Sequence, residues 1–343
     1  MNNQKTVLAV DVGFGNTKAV WGAECTPQSE ILFRSIVKRT MQDPAMFGDL
    51  GAGINRVGIS IDGMYFLVGP DAYLAGGEPT IDPNFVNRVE YLALLRGSMY
   101  YMVQSMGRAS DIDCLVVGLP VGNFMTHKAA LSNVCTGLHL LPTPPQLAEH
   151  YGPTIEIKVK SVLVLPQPLG ALRHAFTIQG GSIKSKPNDI NVIIDPGYNT
   201  FDWVVTKGGD MDFERSGSFD GGVSLLLQQV STQAMLELGT GAIGMIDCET
   251  ALETGSLVAN GKRHPFSKYV SHADGVAQVT VDRFMNASKL NGAITRIILA
   301  GGGAKYYQKA LQERFKGYPV VISEESVMSN ARGFYLWANG AMP

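Results

Sequence analysis

Two short loops place an aspartate, glycines and small polar side chains directly after a run of apolar residues. The first loop is Asp11-Val12-Gly13-Phe14-Gly15-Asn16-Thr17-Lys18, and the second is Asp195-Pro196-Gly197-Tyr198-Asn199-Thr200-Phe201-Asp202. Glycine lets backbone N–H groups approach the oxygens of a phosphate chain, because it has no Cβ to obstruct them. Both loops are therefore candidates for phosphate binding.

The residue types in the first loop divide the chemistry of a phosphate site between them. Residues 13–15 would supply backbone N–H groups, Asn16 and Thr17 would add short donors, and Lys18 would neutralise phosphate charge. Asp11 cannot usefully contact a phosphate, but it can hold Mg²⁺, which keeps several water molecules when protein carboxylates bind it. In the second loop, Asp195 would face the metal and residues 197–200 would contact the β- and γ-phosphates.

Four apolar runs of strand length, at residues 7–10, 114–117, 192–194 and 297–300, are each followed by turn-forming residues. This pattern is typical of buried parallel strands, and ligand-binding loops tend to lie at the carboxyl ends of such strands. The last run precedes Gly301-Gly302-Gly303. Taken alone, a D-x-G-x-G loop is as typical of a hairpin, and three glycines are more typical of a tight turn. Their order along the chain carries the phosphate-site prediction.

The two acidic loops also share the order Asp, Gly, Asn, Thr. This hints at two similar halves, although the match is too short to establish an internal repeat. Residues 180–188 are polar and rich in turn formers, so they are the predicted linker between two domains. The motifs G-x-x-x-x-G-K-[ST] and G-x-G-x-x-G after a first strand are both missing, which disfavours the commoner nucleotide folds.

The periodicity of apolar residues predicts helices over residues 89–107, 223–238, 276–287 and 327–338. Residues 41–90 are rich in Gly, Pro, Asp and Asn and predict an inserted subdomain of small strands and loops. Residues 250–268 look irregular. The predicted apolar stripe of the 223–238 helix is Leu225, Leu226, Val230, Ala234 and Leu238.

The composition sets limits on partners and compartment. The chain has 343 residues, which suits two domains, and its net charge is -2, from 28 basic and 30 acidic residues. This balance argues against a surface broadly adapted to DNA or to a lipid membrane. No apolar stretch reaches the roughly 18 residues of a membrane span. We expect a cytoplasmic protein with four reduced cysteines: Cys25, Cys114, Cys135 and Cys248.

These motifs, in this order, resemble those of the actin, sugar kinase and heat-shock chaperone ATPase superfamily. The loop from Asp11 to Lys18 resembles its first phosphate motif, the loop from Asp195 to Asp202 its second, and residues 299–304 its adenosine motif. The resemblance implies an α/β, actin-like (ribonuclease H-like) fold of two domains with a nucleotide cleft between the lobes. Domain I would span residues 1–181, with an insertion at about 25–110, and be completed by a helix at about 327–343. Domain II would span residues 188–326.

Within this superfamily the chain is most similar to the plasmid-partition actins, the ParM or StbA family. The similar segments are Gly118-Leu119-Pro120-Val121, the helix start at residues 218–225, and the closing segment at residues 330–336. The resemblance implies an ATPase that binds Mg-ATP, with GTP as the alternative nucleotide, and polymerises into filaments for plasmid segregation. A small DNA-binding adaptor protein would link the filament to DNA, with no direct contact to nucleic acid and no membrane partner.

The resemblance also implies roles for individual residues. Gln167 falls on the position where actin-like proteins carry a Gln or Glu that orients the attacking water, whereas the plain alternative is a polar strand end between two prolines. Asp11 and Asp195 would hold Mg²⁺. Further nucleotide contacts are expected from Asp202, Gly222, Gly301, Gly302 and Gly303.

Two other classes of function stay open at this point. A small-molecule kinase of the same superfamily would need an aspartate base, for which Asp202 is a candidate, and a sugar pocket, for which no candidate is visible. A non-polymerising actin-fold ATPase of pilus-assembly or chaperone type would act through a bound partner. One departure from the family pattern is that Tyr198 and Asn199 stand where many relatives have a second glycine, which makes slower hydrolysis conceivable.

Overall fold

A computed structural model describes residues 5–24, 26–42, 53–76, 82, 84–178, 186–290, 294–323 and 325–339. The chain divides into two compact units. The first comprises Met1–Lys184 with Met328–Pro343, and the second comprises Ser185–Val327. Cys25 and parts of the 41–90 segment lie outside the described residues. No helix in the described ranges is long and apolar enough to cross a membrane.

The described part of the first unit contains ten strands and four α-helices before the chain passes to the second. The strands are β1 (Val7–Val12), β2 (Asn16–Val20), β3 (Glu30–Arg34), β4 (Lys38–Thr40), β5 (Val57–Ile61), β6 (Met64–Val68), β7 (Cys114–Leu119), β8 (Gly137–Pro142), β9 (Thr154–Val159) and β10 (Val162–Pro166). The helices are α1 (Val89–Met106), α2 (Val121–Cys135), α3 (Ala148–Tyr151) and α4 (Gln167–Ile178).

The main sheet of this unit has the strand order β10-β7-β1-β2-β3. Strands β1, β7 and β10 are parallel, whereas β2 and β3 continue the sheet in antiparallel fashion. All residues of β1 and β7 are buried. This explains why the runs at 7–10 and 114–117 are apolar throughout instead of alternating. The predicted parallel pairing of these two strands is confirmed.

Smaller sheets and one long helix surround the main sheet. Strands β4, β6 and β5 form a three-stranded antiparallel sheet within the predicted insertion, and β8 pairs with β9. The predicted helix at 89–107 is confirmed as α1, which ends at Gly107 in the left-handed conformation that favours glycine.

The described part of the second unit contains seven strands and four α-helices. The strands are β11 (Ile190–Pro196), β12 (Thr200–Lys207), β13 (Asp210–Asp220), β14 (Ser256–Ala259), β15 (Lys262–Pro265), β16 (Arg296–Leu299) and β17 (Val320–Ile322). The helices are α5 (Val223–Leu238), α6 (Met245–Thr254), α7 (Lys268–Ser288) and α8 (Ala304–Arg314). Its main sheet has the order β13-β12-β11-β16-β17, in which β11, β16 and β17 are parallel.

Several predictions in this unit need correction. Residues 250–268 are not irregular, because they contain the end of α6 and the β14–β15 hairpin. The hairpin turns at Asn260 and Gly261, both with positive φ, and an Asn-Gly pair is typical of such turns. Helix α7 begins earlier than the predicted residue 276. In α5, Leu227 is buried in place of the predicted Leu225.

The last helix, α9 (Ser329–Ala338), returns the chain to the first unit and confirms the predicted closing helix. It packs against α4, and a Cβ added at Gly333 would overlap the backbone of Gly170. The two helices can approach this closely because both positions are glycine. Arg332 of α9 forms a two-pronged ion pair with Glu30 of β3, with distances of 2.9 and 2.6 Å.

Candidate functional site

The first loop is the tight turn between β1 and β2. The Gly13 N–H donates to the Asn16 carbonyl at 3.1 Å, and β1 continues to Val12. Asp11 therefore lies inside the strand, directly opposite Lys18 on β2. Residues directly opposite each other on antiparallel strands share one face of the sheet, so the side chains of Asp11 and Lys18 meet.

Asp11 is the centre of a three-residue cluster in the first unit. Lys18 Nζ lies 3.0 Å from Asp11 Oδ2, and the Gln167 side-chain amide donates to Asp11 Oδ1 at 2.7 Å. Asp11 is only 1% exposed, so its charge depends on these two partners for compensation. The structure thus brings together three residues for which the sequence predicted roles in metal binding, phosphate binding and water placement.

The topology of the sheet explains how Gln167 reaches Asp11 from a distant part of the sequence. Gln167 is the first residue of α4, immediately after β10, and β10 and β1 both flank β7 in parallel. The carboxyl ends of all three strands therefore meet at one edge of the sheet. The Leu-Pro segment at the end of β7 and the Asp11 loop also lie at that edge.

Thr17 braces the first loop from within. Its side chain is fully buried, and its hydroxyl bonds to the Ser35 hydroxyl at 2.9 Å. Strand alternation in β2 places Thr17 on one face of the sheet and Asn16 and Lys18 on the other. A contact of the Thr17 side chain with phosphate stays a prediction.

Ser35 is a loop-bracing residue that the sequence analysis missed. Its hydroxyl donates to the Gly13 carbonyl at 2.6 Å, and its N–H donates to the Gly15 carbonyl at 3.0 Å. These bonds occupy two carbonyls of the turn and hold it against the segment after β3. No motif in the sequence marks Ser35, because its role depends on the pairing of β2 with β3.

Phe14, at the tip of the first loop, packs inward. Its ring lies 5.4 Å from that of Phe85, which in turn lies 5.5 Å from the ring of Tyr91 on α1. Burial raises the pKa of Tyr91 well above its usual value, and the nearby Asp11 carboxylate raises it further, so the phenol stays protonated. Phe14 therefore anchors the loop through its side chain, which leaves its backbone for any ligand contact.

The second loop repeats this construction between β11 and β12. The Gly197 N–H donates to the Thr200 carbonyl at 2.8 Å, as Gly13 does to Asn16, and Asp195 lies opposite Asp202. Both carboxylates are buried. In the second hairpin, Asp202 therefore occupies the position that Lys18 occupies in the first hairpin.

The register of the two hairpins corrects the sequence comparison between them. Asp11 pairs with Lys18 and Asp195 pairs with Asp202, so the hairpins correspond with one constant offset along the chain. Thr200 is therefore the structural counterpart of Asn16, and Phe201 that of Thr17. The shared Asn-Thr pair is out of register by one residue. The likeness of the two loops lies in the Asp, the Gly and the turn.

The start of α5 closes on the second loop. The N–H groups of Val223 and Ser224 donate to the carbonyls of Gly197 and Tyr198 at 3.0 and 2.7 Å, and Gly222 donates to Asn199 at 3.0 Å. A Cβ on Gly222 would lie 2.7 Å from the Asn199 carbonyl carbon, which is too close. Gly222 is thus needed for close packing of the helix start on the loop. Its N–H is directed to protein.

Two of the three glycines after β16, Gly301 and Gly303, pack on the same loop. Gly301 has φ +78°, and an added Cβ would overlap the Asp195 carboxylate. The Gly303 N–H donates to the Pro196 carbonyl at 2.9 Å, and both Gly301 and Gly303 are buried. Gly302 is exposed, and a Cβ added to it would lie 3.5 Å from Val327, which is an ordinary contact distance. Of the three, Gly302 is the one whose surface is open to a ligand.

The described residues contain no group of three His, Cys, Asp or Glu side chains placed to hold a metal ion. Mg²⁺ does not need such a group, because it keeps several water molecules when one or two protein carboxylates bind it. Asp11 in the first unit and Asp195 in the second each offer one buried carboxylate.

Comparison with known proteins defines the class. A family model described as the N-terminal domain of actin-like proteins matches residues 9–170, and one described as the C-terminal domain of the archaeal actin homologue, MreB-like, matches residues 193–313. The two matches lie in successive halves of the chain. The fold is therefore the actin-like two-domain α/β fold, as predicted, and each half of the chain is similar to a domain of actin-like proteins.

Solved structures agree with this assignment. The native crystal structure of Ta0583, an archaeal actin homolog, matches with a TM-score of 0.78 and 21% identity, covering 97% of this chain and 99% of that chain. Its complex with ADP matches with a TM-score of 0.72 and 20% identity, covering 97% and 99%. A 15-stranded ParM filament from Clostridium botulinum matches with a TM-score of 0.73 and 17% identity, covering 98% and 99%. At these identities the likeness concerns the fold alone. A comparison with curated proteins finds no match.

Proposed function

We propose that this chain binds Mg-ATP, with GTP as the alternative nucleotide, through the loops Asp11–Lys18 and Asp195–Asp202. The observation that carries the proposal is the Asp11 cluster, in which a carboxylate, a lysine and a glutamine meet beside a glycine turn. A complex of the fold relative Ta0583 with ADP supports nucleotide binding in this fold. The domain bounds 1–181 with 327–343, and 188–326, are part of the same proposal.

The roles of the individual residues follow from their contacts. Backbone N–H groups of the first turn and Lys18 would compensate phosphate charge. Asp11 and Asp195 would hold water molecules of Mg²⁺, and the incoming cation would replace the Lys18 or Gln167 contact on Asp11. In the second half, the open Gly302 suits a nucleotide contact, whereas Gly222, Gly301 and Gly303 support the loop by close packing.

We further propose that the chain hydrolyses ATP. Phosphoryl transfer to water needs an in-line water and charge compensation, with little covalent chemistry from the protein. Gln167 would orient that water, because its carboxamide lies at the same strand edge as the first loop and Lys18. Bound Mg²⁺ would supply charge on the phosphate oxygens. A carboxamide is a poor base, so its contribution is placement.

Filament formation is a further part of the proposal, beyond nucleotide binding and hydrolysis. The ParM structure noted above is a filament, and we propose that this chain also self-associates when it binds nucleotide. Plasmid segregation in the cytoplasm through a small DNA-binding adaptor protein is the corresponding cellular role. A non-polymerising actin-fold ATPase that acts through a partner is the alternative.

Phosphate release and light scattering, recorded on the same sample of full chain with Mg-ATP, test both parts. We expect phosphate release together with a rise in scattering, and we expect both to vanish when EDTA removes Mg²⁺. Phosphate release without a rise in light scattering at any protein concentration would refute filament formation, while the proposed ATP hydrolysis would stand. Absence of release would refute the hydrolysis step.

A further inference from the structure

A cleft of about 620 Å³ lies in the first unit, apart from the Asp11 cluster. Its walls come from the three-stranded sheet, from α1 and from the β8–β9 hairpin. The apolar part of the wall comprises Ile61, Leu92, Leu140, Leu141, Pro142 and Pro153. Its volume is within the range of about 300–1,000 Å³ that is usual for small-molecule sites.

Arg96 of α1 supplies a strongly basic side chain to the cleft wall. Its Nη1 donates to the Ser60 carbonyl at 3.2 Å, while its Nε–H is buried without an acceptor. Among the described residues, no carboxylate lies within ion-pair distance of this guanidinium. Burial lowers the pKa of Arg96, as expected for a charge that has lost part of its hydration.

Burying part of a guanidinium with an unused N–H costs folding free energy unless an anion accepts that hydrogen bond and balances the charge. Asp62, in the turn between β5 and β6, is exposed and acts on Arg96 only at longer range. A guanidinium binds carboxylates and phosphates well, but the apolar wall favours a ligand with an apolar body. Ser60 and Thr154 add two hydroxyl-bearing residues to the lining of the cleft.

We propose that this cleft binds a small amphipathic carboxylate, with the carboxylate on Arg96 and the apolar part against the leucine and proline wall. The site is separate from the nucleotide loops and does not depend on the proposed ATPase. The charges around the cleft predict two opposite effects on ligand affinity. Loss of Arg96 weakens binding, whereas loss of the Asp62 charge strengthens it.

Isothermal titration of the full chain with octanoate tests this directly. We expect binding with a Kd of about 1 mM or tighter, with 1-octanol and inorganic phosphate each at least about tenfold weaker, since each offers one half of the chemistry. Failure of octanoate to bind, or equal binding of 1-octanol, would overturn the proposal.

Variants separate this site from non-specific binding. Arg96→Met should weaken octanoate binding at least tenfold, Arg96→Lys should weaken it less, and Asp62→Asn should strengthen it. Arg263→Met, at an exposed arginine on β15, is the matched control and should change nothing. Replacement of a half-buried, incompletely paired charge by methionine should not unfold the protein, which a thermal melt can verify. If Arg96→Met and Arg263→Met bind octanoate alike, Arg96 does not form the site.

Discussion

The side-chain amide of Gln167 donates a 2.7 Å hydrogen bond to Oδ1 of Asp11, across 156 positions of sequence. With Lys18 on the other carboxylate oxygen, Asp11 is held from both sides. Two residues with separate predicted roles are thus one hydrogen-bonded unit. Under the proposed function, changes at Gln167 should affect the rate of hydrolysis through water placement and through the position of Asp11.

Replacing Gln167 with Ala should lower ATP turnover by about a hundredfold, because a misplaced water loses its in-line geometry. Nucleotide affinity should change by less than about threefold, since the proposed role of this side chain is to orient the reacting water and not to hold the ground-state phosphates. Steady-state phosphate release gives the turnover, and fluorescence titration with a labelled ATP gives the affinity. Gln228→Ala, at an exposed glutamine on α5, is the control. Equal losses of turnover and affinity in Gln167→Ala would contradict the assigned role.

Gly301 and Gly302 offer a matched pair of substitutions. Gly301→Ala should lower stability by roughly 1–3 kcal/mol, because of its positive φ and because the new Cβ would overlap the Asp195 carboxylate. Gly302→Ala should cost less than about 0.5 kcal/mol, since its neighbour is at an ordinary contact distance. Urea unfolding followed by tryptophan fluorescence measures both. Similar midpoints for the two variants would show that the close approach at Gly301 is unimportant.

The Glu30–Arg332 ion pair should contribute to the attachment of α9. Both side chains are largely buried, at 13% and 7% exposure, so Arg332→Ala leaves a buried carboxylate and should cost about 3–5 kcal/mol. Lys160→Ala removes the exposed pair with Asp113 and should lower the melting temperature far less, because solvent screens this pair. Thermal denaturation distinguishes the two. A double variant, Glu30→Leu with Arg332→Met, should recover part of the loss, and failure to recover any would point to packing instead of charge.

The buried cysteines should resist thiol reagents in the folded protein. Burial raises the pKa of Cys135 and that of Cys248 to about 12, so almost no thiolate forms at neutral pH. In a variant with Cys25→Ser and Cys114→Ser, Ellman's reagent should therefore react slowly with the native chain and with two thiols after unfolding in urea. The native rate should still be rising above pH 9, where ordinary cysteines have levelled off. A rapid stoichiometric reaction at neutral pH would contradict this.

The sequence was sufficient where one short segment determines the outcome. The uniform apolar runs at 7–10 and 114–117 identified buried parallel strands, and the spacing in 89–107 and 223–238 identified helices. The Asn260-Gly261 pair is also a local turn signal, but the flanking strands are short and bury only Leu257, so no apolar alternation marks them as strands.

The parts that the sequence did not yield depend on pairing between distant segments. Ser35 acts on the first loop only because β3 pairs with β2 in a particular register. The inward direction of Thr17 and the one-residue shift of the Asn-Thr likeness likewise follow from strand register. A local pattern cannot show that Gly222 and Gly303 both pack closely on the loop at 196–199, since that requires three elements to converge.

The proposed nucleotide binding by this actin-like fold is tested most directly by isothermal titration with the slowly hydrolysed analogue ATPγS in the presence of Mg²⁺. We predict one site per chain with a Kd of about 100 µM or tighter, and at least tenfold weaker binding for Asp11→Ala but not for the exposed Asp210→Ala. No heat of binding up to about 1 mM nucleotide, or equal binding by both variants, would contradict nucleotide binding at the Asp11 loop.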